Sequence, residues 1–176
     1  QLAVHQGGVR QGLAQVSLAG RFQVLPGQPV VVLDVAHNPH AAGVLAANMD
    51  QMGFFPKTVA VVGMLADKDA AAIFARLGGR VDSWCLASLS SQQAGARARL
   101  AKELRPFCEG MIAGLSEMER PVEPVTIFEF DDPESALAHA ASLVGPNDRI
   151  VVFGSFVTVA QAWPLAKTPG QAPHLS

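Results

Sequence analysis

Short apolar runs alternate along this chain with longer segments whose apolar positions recur every three or four residues. Val30-Val31-Val32-Leu33 is apolar throughout, follows Pro29 and ends at Asp34, the pattern of a strand covered on both faces. His37-Asn38-Pro39 then predicts a helix start, with Asn38 as cap and Pro39 at the first helical position. Leu45, Met49 and Met52 recur at spacings of four and three, and Gly53 closes the helix. The same unit returns at Thr58-Val59-Ala60-Val61-Val62. After Gly63-Met64-Leu65, Asp69 is placed to cap a helix whose apolar face carries Ile73, Phe74 and Leu77 and which Gly78-Gly79 ends. Residues 81–87 predict a weaker third strand. Residues 94–104 predict a third helix, basic on its outer side and stopped by Pro106. Residues 109–124 read as a loop with a turn of helix, and residues 125–130 as a fourth strand. Asp131-Asp132-Pro133-Glu134 opens a fourth helix reaching Val144. Ile150-Val151-Val152-Phe153 is a fifth strand, and Gly154-Ser155 leads into a last helix ending near Trp163.

Strands alternating with helices predict an α/β architecture: a Rossmann-like, three-layer fold with a mainly parallel sheet and helices on both faces. Residues 1–20, rich in Gln and Gly, read as an incoming linker, residues 21–165 as one domain and residues 166–176 as a flexible tail. Of the 176 residues, 49% are hydrophobic and 16% charged, enough apolar material for a core and against disorder. Thirteen basic against fifteen acidic residues offer no electrostatic reason for a nucleic acid or membrane partner. Two cysteines make neither a disulfide framework nor a zinc site, and no metal ligand set is assigned. The start lacks an initiator Met and the pattern of a secretory signal, so a monomeric fragment of a longer cytoplasmic protein is expected.

In parallel α/β folds ligands bind beyond the carboxyl ends of the strands, which directs attention to residues 34–39, 63–69 and 154–158. Asp34 can accept hydrogen bonds from a ribose or hold a metal's water, or it can simply cap its loop. His37, beside a helix N-terminus, can meet a phosphate or only stabilise its turn. Lys68, between Asp67 and Asp69, can neutralise a substrate carboxylate or phosphate. A solvated lysine paired with its neighbours is the plainer reading. Ser155 can cap a helix or hydrogen-bond a carboxylate. The run Phe153-Gly154-Ser155-Phe156-Val157 is no nucleophile elbow. No dinucleotide-binding G-x-G-x-x-G follows a strand, and no phosphate-cradling P-loop is present. Cys85 reads as core, and Arg97 and Arg99 as a solvated helix face.

Four ordered segments carry a more specific signal. Leu33-Asp34-Val35-Ala36-His37-Asn38-Pro39-His40-Ala41 resembles a signature of the carboxy-terminal domain of the folylpolyglutamate synthase/dihydrofolate synthase branch of the Mur ligase superfamily. Gly20-Arg21-Phe22-Gln23, Gly63-Met64-Leu65-Ala66-Asp67-Lys68-Asp69 and Gly154-Ser155-Phe156-Val157-Thr158-Val159 resemble that family's other motifs in order and spacing, from about residue 7 to residue 163. The form Asp34-Val35-Ala36-His37-Asn38-Pro39 resembles the bifunctional bacterial enzymes. Val157 departs from the pattern, where the family often has His or Tyr.

The resemblance implies an ATP- and Mg²⁺-dependent acid–amino-acid ligase. Its members phosphorylate a substrate carboxylate, and the amino group of L-glutamate then attacks the acyl phosphate. The acceptor is dihydropteroate or a folate already bearing glutamate. By the same resemblance Arg21 and Asp34 contact the nucleotide, His37 serves activity near the phosphates, and Lys68 and Ser155 hold the carboxylates of glutamate. The P-loop and magnesium ligands belong to an amino-terminal ATPase domain, the expected partner, without which this chain is expected to be inactive. Two other classes compete: a non-catalytic nucleotide-binding or interaction module of the same fold, and a serine hydrolase using Ser155, His37 and Asp34. Asp34→Ala and His37→Ala are expected to lower activity while leaving the fold intact, since both residues read as lying outside the apolar core.

Overall fold

Strict alternation of inward-facing residues explains the central sheet. The computed structural model describes residues 21–166. Its strands are β1 (Gln23–Leu25), β2 (Val30–Leu33), β3 (Thr58–Val62), β4 (Ser83–Ala87), β5 (Thr126–Phe130) and β6 (Arg149–Phe153). They form one sheet in the order β1-β2-β6-β3-β4-β5, with β1 antiparallel to β2 and every other pairing parallel. Val32, Ala60, Val62, Trp84, Leu86, Val151 and Phe153 face one layer; Val31, Leu33, Val59, Val61, Cys85, Ala87, Ile150 and Val152 face the other. Apolar residues at successive positions are therefore what a doubly covered parallel strand requires.

The first layer holds α1 (Pro39–Gln51), α2 (Ala70–Leu77) and α4 (Ala101–Ala113). The second holds α5 (Pro133–Leu143) and α6 (Phe156–Ala166). A short α3 (Ser91–Ala94) and a 3₁₀ turn (Gly95–Arg97) link β4 to α4. Trp84 anchors the first layer between the edges of Phe74 and Phe153, at centroid distances of 5.1 and 6.3 Å. The predicted caps form: the side chains of Asn38 and Asp69 accept from the N–H groups of Ala41 and Ala72, and Asp132 caps its helix in the same way, accepting from Ser135 N–H.

Three sequence expectations need correction. The third helix does not stop at Pro106 but runs from Ala101 to Ala113 with the proline inside. Burial of Ala101, Leu104 and Cys108 against the core outweighs the one backbone hydrogen bond that proline removes. The helix start also lies later than residue 94. Ser88 Oγ accepts from Ala101 N–H, and the Glu103 carboxylate accepts from Leu100 N–H at 2.6 Å. Lastly, β1 was not expected; it is three residues long and half solvent-facing, so alternation carries no signal for it. The expected linker over residues 1–20 lies outside the described residues, as does the expected tail beyond residue 166.

Cys85 and Cys108 are fully buried in opposite layers, and burial pushes both thiols up to about 12. The thiolate is the reactive form. Neither cysteine should therefore react with a disulfide reagent in the native chain near neutral pH, and both should react on unfolding. Rapid labelling without denaturant contradicts this packing.

Candidate functional site

Parallel pairing brings the carboxyl ends of β2, β6 and β3 side by side, so the loops after Leu33, Phe153 and Val62 share one edge of the sheet. The chain order reverses here, β6 lying between β2 and β3, which is where such sheets open a crevice.

Asp34 leaves β2 still tied to it, its N–H donating to Val152 O at 2.9 Å. Its carboxylate accepts from Ala36 N–H at 2.8 Å and from Phe22 N–H at 3.2 Å, one on each oxygen. Burial pushes this carboxyl above the ordinary aspartate value, and the two backbone donors partly oppose that rise. Asp34 stands outside both apolar clusters, as expected, yet it is only 9% exposed and organises two loops. It serves as the loop-capping carboxylate, and each oxygen keeps a lone pair for a ligand hydroxyl.

Phe22 explains how Arg21 reaches the same place. Its φ of 48° lies in the left-handed region that non-glycine residues avoid. The bond from its N–H to Asp34 holds that turn, and its ring packs partly against the first core layer. Sequence patterning gives no sign of this backbone role.

His37 is exposed, and its Nδ1 lies 2.9 Å from Val35 O. A carbonyl only accepts, so Nδ1 carries the proton. Nε2 is then an acceptor in the neutral ring and a donor in the imidazolium. Arg21, Phe22, Asp34, His37 and the first turns of α1 enclose one cleft of about 380 Å³, floored by Val35, Ala36, Ala41 and Val44. Three of the five candidate residues thus meet around a single space. The mixture of a guanidinium, a carboxylate, a histidine and apolar walls at a helix N-terminus suits a nucleotide. Among the described residues no group of three or more His, Cys, Asp or Glu side chains could hold a metal ion.

Lys68 and Ser155 lie on the same sheet edge but outside that cleft. Ser155 is 3% exposed and caps α6, its Oγ accepting from Thr158 N–H at 3.0 Å. Thr158 Oγ1 donates to Gly63 O at 2.9 Å, so in the 2.8 Å pair with Ser155 it is Ser155 that donates. The seryl proton is committed to Thr158, and the hydrolase reading lacks its Ser–His contact. Thr158 ties the β6 loop to the β3 loop, a role the sequence motif does not disclose.

Lys68 is a quarter exposed, with Nζ 3.6 Å from Asp67. Arg97 is exposed, as the pattern suggested, but neither it nor Arg99 lies on a helix face: Arg97 ends the 3₁₀ turn and Arg99 bridges to Leu89. Arg97 grips Asp67 with two bonds of 3.1 and 3.2 Å, and Arg99 donates to the carbonyls of Ala66 and Lys68.

The model of the Mur ligase glutamate ligase domain matches residues 20–156, a span that includes Arg21, Asp34, His37, Lys68 and Ser155. The chain belongs to the Mur ligase family. Dihydrofolate synthase/folylpolyglutamate synthase of Escherichia coli is 36% identical to it over 159 residues, covering 90% of this chain and 33% of the relative. The structure of E. coli FolC in complex with DHPP and ADP superposes with a TM-score of 0.68 at 34% identity, over 83% of this chain and 30% of that one. A bifunctional folylpolyglutamate synthase/dihydrofolate synthase with Mn, AMPPNP and L-glutamate bound gives a TM-score of 0.63 at 39% identity, over 84% and 30%. This glutamate ligase domain therefore spans about a third of the length of the relatives it matches. Its described helices include none long and apolar enough to cross a membrane.

Proposed function

We propose that this chain is the carboxy-terminal third of a cytoplasmic, ATP-dependent folate ligase. It adds L-glutamate to dihydropteroate and to folylpolyglutamates through an acyl phosphate. The cleft that gathers Arg21, Asp34 and His37 carries this reading, because those residue types at one helix start suit a nucleotide. The relatives whose structures hold ADP, AMPPNP, Mn and L-glutamate support it.

In this reading the Arg21 guanidinium meets the nucleotide, Asp34 accepts from its ribose, and the imidazolium of His37 donates from Nε2 to a phosphate oxygen. Lys68 neutralises a carboxylate of the incoming glutamate. Ser155 meets such a carboxylate only if its hydroxyl turns from Thr158, so Lys68 bears the larger share. Magnesium would supply charge neutralisation at the phosphates; the described residues offer no ligand set for it, so residues outside this chain would hold it.

Phosphoryl transfer depends on positioning and on charge stabilisation from both sides of the phosphates. One wall of the site should not catalyse. The chain taken alone, assayed for ADP release with ATP, magnesium, dihydropteroate and L-glutamate, should show no glutamate-dependent turnover. The complete ligase should show it with every component present. Turnover by the isolated chain near the complete enzyme's rate contradicts the proposal.

A further inference from the structure

We propose that Arg97 and Arg99 are positioning residues for Lys68, holding its loop in place and keeping its ammonium available to a substrate carboxylate. The proposal rests on the reading of Lys68 as the glutamate-carboxylate ligand. Lys68 stands in a loop six residues beyond the end of β3, between two aspartates. Its ammonium lies 3.6 Å from the adjacent Asp67, and a lysine fully paired there would recruit a substrate carboxylate poorly.

The segment after β4 competes with that pairing and fixes the loop. Arg97 engages both oxygens of Asp67, at 3.1 and 3.2 Å, and with Lys68 holds that carboxyl below the ordinary aspartate value. The bidentate fork takes the directed acceptor positions and leaves Lys68 a longer, undirected contact. Arg99 fixes the backbone: its Nη2 donates to Ala66 O at 2.7 Å and to Lys68 O at 3.3 Å.

The clamp is itself anchored. Ala66 N–H donates to Arg97 O and Leu89 N–H donates to Arg99 O, each at 2.9 Å, tying residues 66, 97 and 99 to the end of β4. The guanidinium of Arg99 also lies 6.0 Å from the ring centroid of Phe107 on α4. Both arginines act through Lys68 and its loop.

Steady-state kinetics on the complete ligase test this, with Arg97→Met, Arg99→Met, Arg99→Lys and Lys68→Met, singly and with each arginine change combined with Lys68→Met. Each arginine-to-methionine change should raise KM for L-glutamate roughly tenfold while KM for ATP stays within about twofold. Arg99→Lys should recover part of the loss. In the Lys68→Met background neither arginine change should add to KM for glutamate, since the residue being positioned is gone. Additive effects in that background, or equal rises in both KM values, overturn the positioning role while leaving the glutamate reading of Lys68 standing. If Lys68→Met alone leaves KM for glutamate unchanged, that reading falls, and this proposal with it. Melting curves of the single variants separate loss of fold from loss of position. A variant that melts well below the parent and loses kcat, with both KM values unchanged, also counts against the positioning role.

Discussion

Replacing Gly154 by alanine should cost this chain about 3 kcal/mol or more of stability, among the largest effects of any single methyl group here. Gly154 sits at the end of β6 with φ at +114°, a conformation that side-chain-bearing residues rarely adopt. A Cβ there would collide with the carbonyl oxygen of Gly63 and approach Val62 Cγ2 to 3.0 Å. The first obstacle is backbone, fixed because Gly63 N–H donates to Phe153 O and Gly63 O accepts from Thr158. Neither strand end can retreat without loosening the sheet, so strain and steric conflict add. Urea denaturation of the 176-residue chain should show the alanine variant with a clearly lower midpoint, or already unfolded in buffer. A midpoint equal to that of the parent chain contradicts the described junction. Because Ser155 follows directly, the same change should also loosen the start of α6.

The second large effect concerns activity. In the complete ligase, Asp34→Ala and His37→Ala should each lower kcat/KM by about 100-fold or more, for different physical reasons. Asp34→Ala removes the proposed ribose acceptor and strands the N–H groups of Phe22 and Ala36 in a mostly buried place. Each unsatisfied donor costs about 1–3 kcal/mol, so this variant should also lose stability and let Arg21 swing away from the cleft. His37→Ala should leave stability nearly unchanged, since the ring is exposed and its bond is to the carbonyl of Val35. Paired melting and kinetic measurements distinguish the two. Wild-type turnover in both variants removes the roles given to these residues. Unchanged melting of Asp34→Ala would show that its two backbone bonds contribute little.

Much of this architecture was legible in the sequence because the inner strands are buried on both sides. Val30 to Leu33, Val59 to Val62 and Ile150 to Phe153 leave no polar position to blur them, and Asn38, Asp69 and Asp132 mark the helix starts beside them. What resisted reading was tertiary. Pro106 signals a helix end locally, yet Leu104 and Cys108 on either side of it belong to the core, and packing decides. The second backbone bond to Asp34 comes from Phe22, twelve residues earlier in a strained turn that no periodicity marks. Arg97 and Arg99 read as ordinary surface charge because their partners lie about thirty residues away, across the β3–β4 edge. Gathering Arg21, Asp34 and His37 into one cleft needed only the strand ends and the motif order. Ser155 as a helix cap was visible as one of two roles.

Hydrogen exchange on the complete ligase, with and without ADP, tests the central claim most directly. Bound nucleotide should protect the amides of the segment containing Arg21 and Phe22 and of the turn from Asp34 to Ala41, while amides around Pro121 to Val125, at a separate cavity, stay unchanged. Saturating ADP that leaves both cleft segments exchanging as before would contradict a nucleotide site on this wall.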